Sequence, residues 1–127
     1  MELRAVTTAA AKENRYPLNQ TFMQPWKSLS ANVQVGTLIK GWSLATPPTK
    51  DHDQPRVFRF AVHFSAPFTA PPVVHLGLLG FDIDQRDANR LTLTAMEITN
   101  TGFIAEFATW RETRVYSAVF SWLALGA

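Results

Sequence analysis

A chain of 127 residues with 46% hydrophobic and 17% charged content can build one cored domain, which excludes wholesale disorder. The net charge is only +2 and no Lys or Arg has a basic neighbour in sequence, so no basic stripe for nucleic acid is present. The absence of cysteine excludes disulfides, thiolate metal sites and cysteine nucleophiles, and no stretch approaches the roughly 18 apolar residues of a membrane-spanning helix.

The chain opens on Met1-Glu2-Leu3-Arg4, which lacks the apolar centre of a signal peptide. An extracellular or particle-surface location would then be reached by another route, such as assembly into a particle. Residues 1–31 read as an N-terminal arm. Thr7 to Lys12 has the composition of a helical turn or two. Pro17 and Pro25 then disfavour helix and central strand across a stretch holding Tyr16, Leu18, Phe22, Met23 and Trp26. Its aromatics favour an extended arm that docks on a neighbouring surface; the alternative is a disordered tail. Asn19-Gln20-Thr21 matches a glycosylation acceptor and reads as incidental.

Residues 32–127 read as the domain. Val33 to Gly36 alternates briefly. Pro47-Pro48 and Thr49 to Pro55 mark a long loop. Val57 to Phe64 is the clearest strand, with Phe58, Phe60, Val62 and Phe64 on one face. Val73 to Leu79 is nearly all apolar, as for a strand buried on both faces. Asp82 to Asn89 reads as a polar loop. Arg90 to Met96 alternates, with Leu91, Leu93 and Ala95 together. Phe103 to Trp110 turns Phe103, Ala105 and Phe107 inward. Tyr116 to Leu125 does the same with Tyr116, Ala118, Phe120 and Trp122, leaving Val115, Ser117, Val119 and Ser121 on the other face. About six strands with turn signals and no long helical pattern predict an all-β antiparallel sandwich or barrel. The mixed apolar and hydroxyl face suits packing against identical subunits; the alternative is an ordinary solvated face.

The turn Thr109-Trp110-Arg111-Glu112-Thr113-Arg114-Val115-Tyr116 sets an aromatic among basic and hydroxyl side chains. A flat apolar face ringed by hydrogen-bonding groups is what a sugar site needs. Trp110 reads as a stacking platform or as a core or interface tryptophan. Enzyme signals are poor. There is no phosphate loop, nucleophile elbow or pair of carboxylates placed across a sugar, and no cofactor motif. Asp82, Asp84, Asp87 and Asn89 offer oxygen ligands for calcium, but the loop lacks the glycine and closing glutamate of an EF-hand and reads as turn chemistry. His52, His63 and His75 show no metal spacing.

Several motifs occur in a set order. They are Phe64-Ser65-Ala66-Pro67-Phe68, Pro71-Pro72-Val73-Val74, Phe81-Asp82-Ile83-Asp84 and Asn89-Arg90-Leu91, then Thr101-Gly102-Phe103, Thr109-Trp110, Thr113 to Ser117 and Ser121 to Ala124. In this order and spacing the chain resembles the H-type lectin domain family of snail agglutinins and discoidins from Val57 to Gly126. Val33 to Gly36 resembles the opening of that family's first strand. The resemblance implies a six-stranded antiparallel β-sandwich forming a homotrimer, or a larger assembly, that binds galactose or N-acetylgalactosamine glycans at sites between neighbouring protomers. By motif position it implies a site of Arg90, Trp110, Arg111 and Tyr116. The adjoining subunit would add the loop Asp51, His52 and Asp53, with Asp53 the best match. Arg111 stands where the snail lectin has histidine.

Each site residue also has a plain reading. Arg90 could pair with Asp82, Asp84 or Asp87, and Tyr116 could be structural. Asp53 could cap its loop. Arg111 could reach an acidic sugar or be a solvated turn residue. Two function classes follow: a lectin for cell-surface recognition or adhesion, and a virion component of a phage tail, fibre or capsid, joined to particle proteins through residues 1–31. Neither involves nucleic acid or membrane insertion.

Overall fold

The computed structural model describes residues 26–47 and 53–127. Among these residues there are six strands and no helix: β1 (Lys27–Gly36), β2 (Arg56–His63), β3 (Val73–Ile83), β4 (Thr92–Met96), β5 (Gly102–Thr109) and β6 (Val115–Gly126). They form two three-stranded antiparallel sheets, ordered β1-β6-β3 and β2-β5-β4. Every connection except the β4–β5 hairpin passes from one sheet to the other, so the fold is an antiparallel sandwich.

Alternation in the strands decides which face is buried. Phe103, Ala105 and Phe107 of β5 face Ala118, Phe120 and Trp122 of β6, and all six are buried. The rings interlock edge to face: Phe107 lies 5.3 Å from Phe120, and Phe103 lies 5.7 Å from Trp122. Phe60 of β2 meets Phe120 from the other side, at 6.2 Å. Burying each such side chain is worth about 1.5–3 kcal/mol, the main stabilising contribution in a chain without disulfides. Trp42, in the β1–β2 connection, closes one end of this core. Its ring packs 4.9 Å from Phe58, and its indole N–H donates to the Val115 carbonyl at 2.8 Å.

Four expectations are corrected. The first strand starts at Lys27, ahead of the boundary at residue 31, because its alternation is carried by polar side chains. Leu29 and Val33 pack on the core while Ser28, Ser30, Asn32 and Gln34 point outward. Strand β3 is an edge strand and is not buried on both faces. Val73 is 70% and Leu79 57% exposed, because only one face meets the opposite sheet and the register slips between Leu78 and Gly80. It also continues through Ile83, into the stretch read as loop. Val115, expected on the outer face, is fully buried. The β1–β2 connection covers it, and its N–H donates to the Leu44 carbonyl at 2.8 Å. The helical turn and the docking arm expected before Trp26 lie outside the described residues.

The β1–β2 connection, the β3–β4 loop and the β5–β6 turn meet at one end of the sandwich. Gly36 permits part of this approach. A Cβ there would stand 2.5 Å from the Tyr116 carbonyl oxygen, so a larger residue would push β1 off the start of β6. The neighbouring Thr37 N–H donates to that same carbonyl at 3.0 Å.

Candidate functional site

The turn at Trp110 is built from its threonines. Thr109 and Thr113 are both fully buried, so their hydroxyls need partners. Thr109 Oγ1 donates to the Arg90 carbonyl at 2.5 Å, and Thr113 Oγ1 donates to the Ala88 carbonyl at 2.7 Å. Arg90 Nη1 donates back to Thr113 Oγ1 at 2.8 Å. Two short side chains thus bind residues 88–90 to the β5–β6 turn and set Arg90 next to that turn. Arg111 holds a left-handed φ of 58°, rare for a residue with a side chain. Trp110 is half-buried.

Two ion pairs lie at the surface of this end. Arg90 Nη1 approaches Glu112 Oε2 at 3.3 Å, and Arg111 Nη2 approaches Asp53 Oδ1 at 3.4 Å. Asp53 and Glu112 are mostly exposed, so each pair contributes at most about 1 kcal/mol and can be exchanged for a ligand's hydrogen bonds. The contact to Asp53 forms within one chain, so a single protomer already places this aspartate beside Arg111.

Tyr116 is held differently. Its hydroxyl donates to Asp84 Oδ2 at 2.8 Å. Asp84 also accepts from the Arg86 guanidinium at 2.9 and 2.7 Å and from the Arg86 backbone N–H at 2.9 Å. Arg114 bonds Asp87 through its backbone N–H at 2.9 Å and its side chain at 3.0 Å. The Arg86 hydrogen bonds, then those from its own backbone and from Tyr116, hold the Asp84 carboxyl far below the usual range. Arg114 does the same, more mildly, for Asp87. Tyr116 is raised, first by its bond to Asp84 and then by burial. Asp84 and Asp87 therefore serve arginines and a tyrosine of this chain.

A depressed carboxylate stabilises the fold above the unfolded pKa of about 3.9 and loses that contribution as pH falls through its folded value. The melting temperature is accordingly expected to fall between about pH 5 and pH 2. In Asp84→Asn that acid decline should be shallower, and the difference from wild type should be largest near neutrality. Parallel melting curves for the two proteins would count against this account.

The structure brings Arg90, Arg111 and Asp53 to the Trp110 turn. Tyr116 starts the next strand but is turned to Asp84. Arg90 pairs with Glu112, not with Asp82, Asp84 or Asp87. His52 lies outside the described residues. Sequence reasoning passed over Thr109, Thr113 and Arg56 as parts of the site. A threonine on each side of a tryptophan turn was the available signal for the first two; Arg56 had none.

The model of the H-type lectin domain family matches residues 59–125. The chain belongs to that family. The match spans Arg90, Trp110, Arg111 and Tyr116 and stops short of Asp53. Membership supports carbohydrate binding as the general activity. A curated relative, "ATP synthase subunits region ORF 7" of Fuscovulum blasticum, is 40% identical over 73 residues, covering 58% of this chain and 64% of that protein. The chain therefore spans less than two thirds of that relative. Among solved structures, discoidin II of Dictyostelium discoideum superposes with a TM-score of 0.64 at 22% identity, covering 80% of this chain and 37% of discoidin II. The P. aeruginosa R1 pyocin fibre, C-terminal residues 323–701, gives a TM-score of 0.51 at 16% identity over 80% of this chain and 23% of the fibre. These two likenesses concern the fold.

Proposed function

We propose that this H-type lectin domain binds galactose or N-acetylgalactosamine glycans at the Trp110 end of the sandwich and works as a trimer without catalysis. The carrying observation is the turn itself: a half-buried tryptophan pinned between two buried threonines, with arginine donors and an exposed carboxylate around it. A pyranose offers C–H groups to the ring, and its hydroxyls suit both the arginine N–H groups and the Asp53 oxygens. Arg111 extends the range to glycans carrying an acid group.

The outer face of the β1-β6-β3 sheet supports self-association. Leu123 and Leu125 are exposed there beside Val73, interleaved with Ser117 and Ser121. A parallel trimer would present three weak sites to one glycan-coated surface and gain by avidity. Each site would then lie near a neighbouring protomer.

A second reading is a structural part of a particle, exposed at its surface. The likeness in fold to a pyocin fibre favours it, as does the path of the chain. Lys27 pairs with Gly126 at the far end of β6, while Trp110 precedes the start of that strand. Twelve residues of strand put roughly 35 Å between the entry of the chain and the sugar site. A segment joined at one pole and a binding site at the other suits a receptor-binding tip, which is both lectin and particle component.

A glycan array on the full chain, read with its mass in solution, tests the first reading. Retention on terminal galactose or N-acetylgalactosamine by a species of three chains is expected. A monomer that retains no glycan at high concentration would overturn it. For the second reading, deletion of residues 1–25 leaves β1 whole and should block incorporation into the particle while glycan retention persists.

A further inference from the structure

Arg56 opens β2 and spends its guanidinium on backbone carbonyls. Nη1 donates to Leu44 and Thr46, both at 3.0 Å, and Nη2 donates to Arg111 at 2.8 Å and Thr113 at 2.5 Å. The first two carbonyls belong to the β1–β2 connection, which leads to Asp53. The other two belong to the turn that carries Trp110. Four bonds from one planar group thus join two segments far apart in sequence. Their geometry is demanding. Arg111 has its left-handed φ of 58°, and that backbone conformation is the one whose carbonyl Arg56 holds. Thr113 is gripped twice, at its carbonyl by Arg56 and at its hydroxyl by Arg90. Nε of Arg56 is buried and has no hydrogen-bond partner among the described residues, so the side chain is placed for its two terminal nitrogens alone.

We propose that Arg56 is the positioning residue of this site: its fork fixes the Trp110–Arg111 turn against residues 44–46 of the β1–β2 connection, so that the aromatic face and the Arg111 guanidinium are set for a sugar before one arrives. Arg56 does not touch the sugar. It acts by preorganisation, sparing the ligand the cost of ordering two loops. Lysine cannot replace it, because an ammonium is a compact point charge and cannot reach two pairs of carbonyls at once. The proposal rests on reading this end as a glycan site, and its test separates the two.

The test uses the full chain with Arg56→Lys and Arg56→Met, and Arg59→Lys as control. Arg59 lies on the same strand, exposed and paired with Glu106 at 2.9 Å. Binding of N-acetylgalactosamine is measured by calorimetry, and backbone order of residues 44–46 and 110–113 by nitrogen-15 relaxation. Both Arg56 variants should bind at least ~10-fold more weakly, as expected when a supporting residue is removed and the groups it holds are displaced. Both loops should loosen together while β5 and β6 keep their order, and saturating sugar should restore the order. Arg59→Lys should match wild type in each measurement. Unchanged affinity in both Arg56 variants, or loosening of one segment only, overturns the proposal. If wild type binds no N-acetylgalactosamine, the sugar reading fails, and the relaxation data alone decide the clamp: joint loosening upholds it and unaltered order overturns it.

Discussion

Replacing Trp110 with alanine is expected to weaken glycan binding at least ~30-fold, the loss typical of an aromatic anchor worth about 2 kcal/mol or more. The ring supplies a broad apolar surface beside arginines, carboxylates and hydroxyls. A sugar bound without it would keep its hydrogen bonds but lose the C–H packing that excludes water from them. The backbone should not follow the ring, because the turn is tied down by Thr109 and Thr113 beneath it, not by Trp110. The variant should therefore melt within a few degrees of wild type and keep its mass in solution. Frontal affinity on immobilised N-acetylgalactosamine reads the first effect and calorimetric melting the second. Retained affinity would assign Trp110 to structure or to a subunit seam. A collapse in stability would do the same.

Phe107→Ala should have the opposite profile. Phe107 is fully buried at the centre of β5, 5.3 Å from Phe120 of the facing sheet and 6.2 Å from Trp42. Truncation removes the buried ring and leaves a cavity between two sheets that cannot close without shifting both, which costs about 3–5 kcal/mol. Domains of this kind have only about 5–15 kcal/mol in total, so the urea midpoint should fall by about a fifth or more. At low temperature the folded fraction should still bind sugar, since the turn is held by hydrogen bonds outside this cluster. A loss below about 1 kcal/mol would mean that the sandwich repacks, contrary to the interlocked geometry. The two variants together separate what holds the protein up from what it holds.

The strands of the core were legible because period-two alternation survives wherever one face is buried. Phe58 to Phe64, Phe103 to Phe107 and Ala118 to Trp122 all showed it, and all line the core. Strand β1 was only partly legible, since serines and asparagine supply its outer positions and carry no hydrophobic signal. Strand β3 misled for the converse reason. An apolar run does not say whether one face or two will be covered, and the slip at Leu78 and Gly80 depends on the partner strand. The site divides in the same way. The sequence motifs pick out Arg90, Trp110 and Arg111, and the structure sets them at one end. Tyr116 follows the same motif but is committed to Asp84. That bond depends on where β3 ends, which no local pattern states.

The sequence by itself determined the class of fold, the inward faces of its central strands and the place of the tryptophan turn. Those properties come from side-chain periodicity and composition, which act residue by residue. Tertiary structure alone decided that Arg56 would clamp two distant loops, that Asp53 would meet Arg111 within one chain and that Asp84 and Asp87 would serve arginines of their own chain. These are encounters between segments brought together only when two sheets pack, and their strength depends on distances that the linear order does not contain. The tryptophan turn could be found by reading, but the carbonyls that hold it in place became visible only in the folded chain.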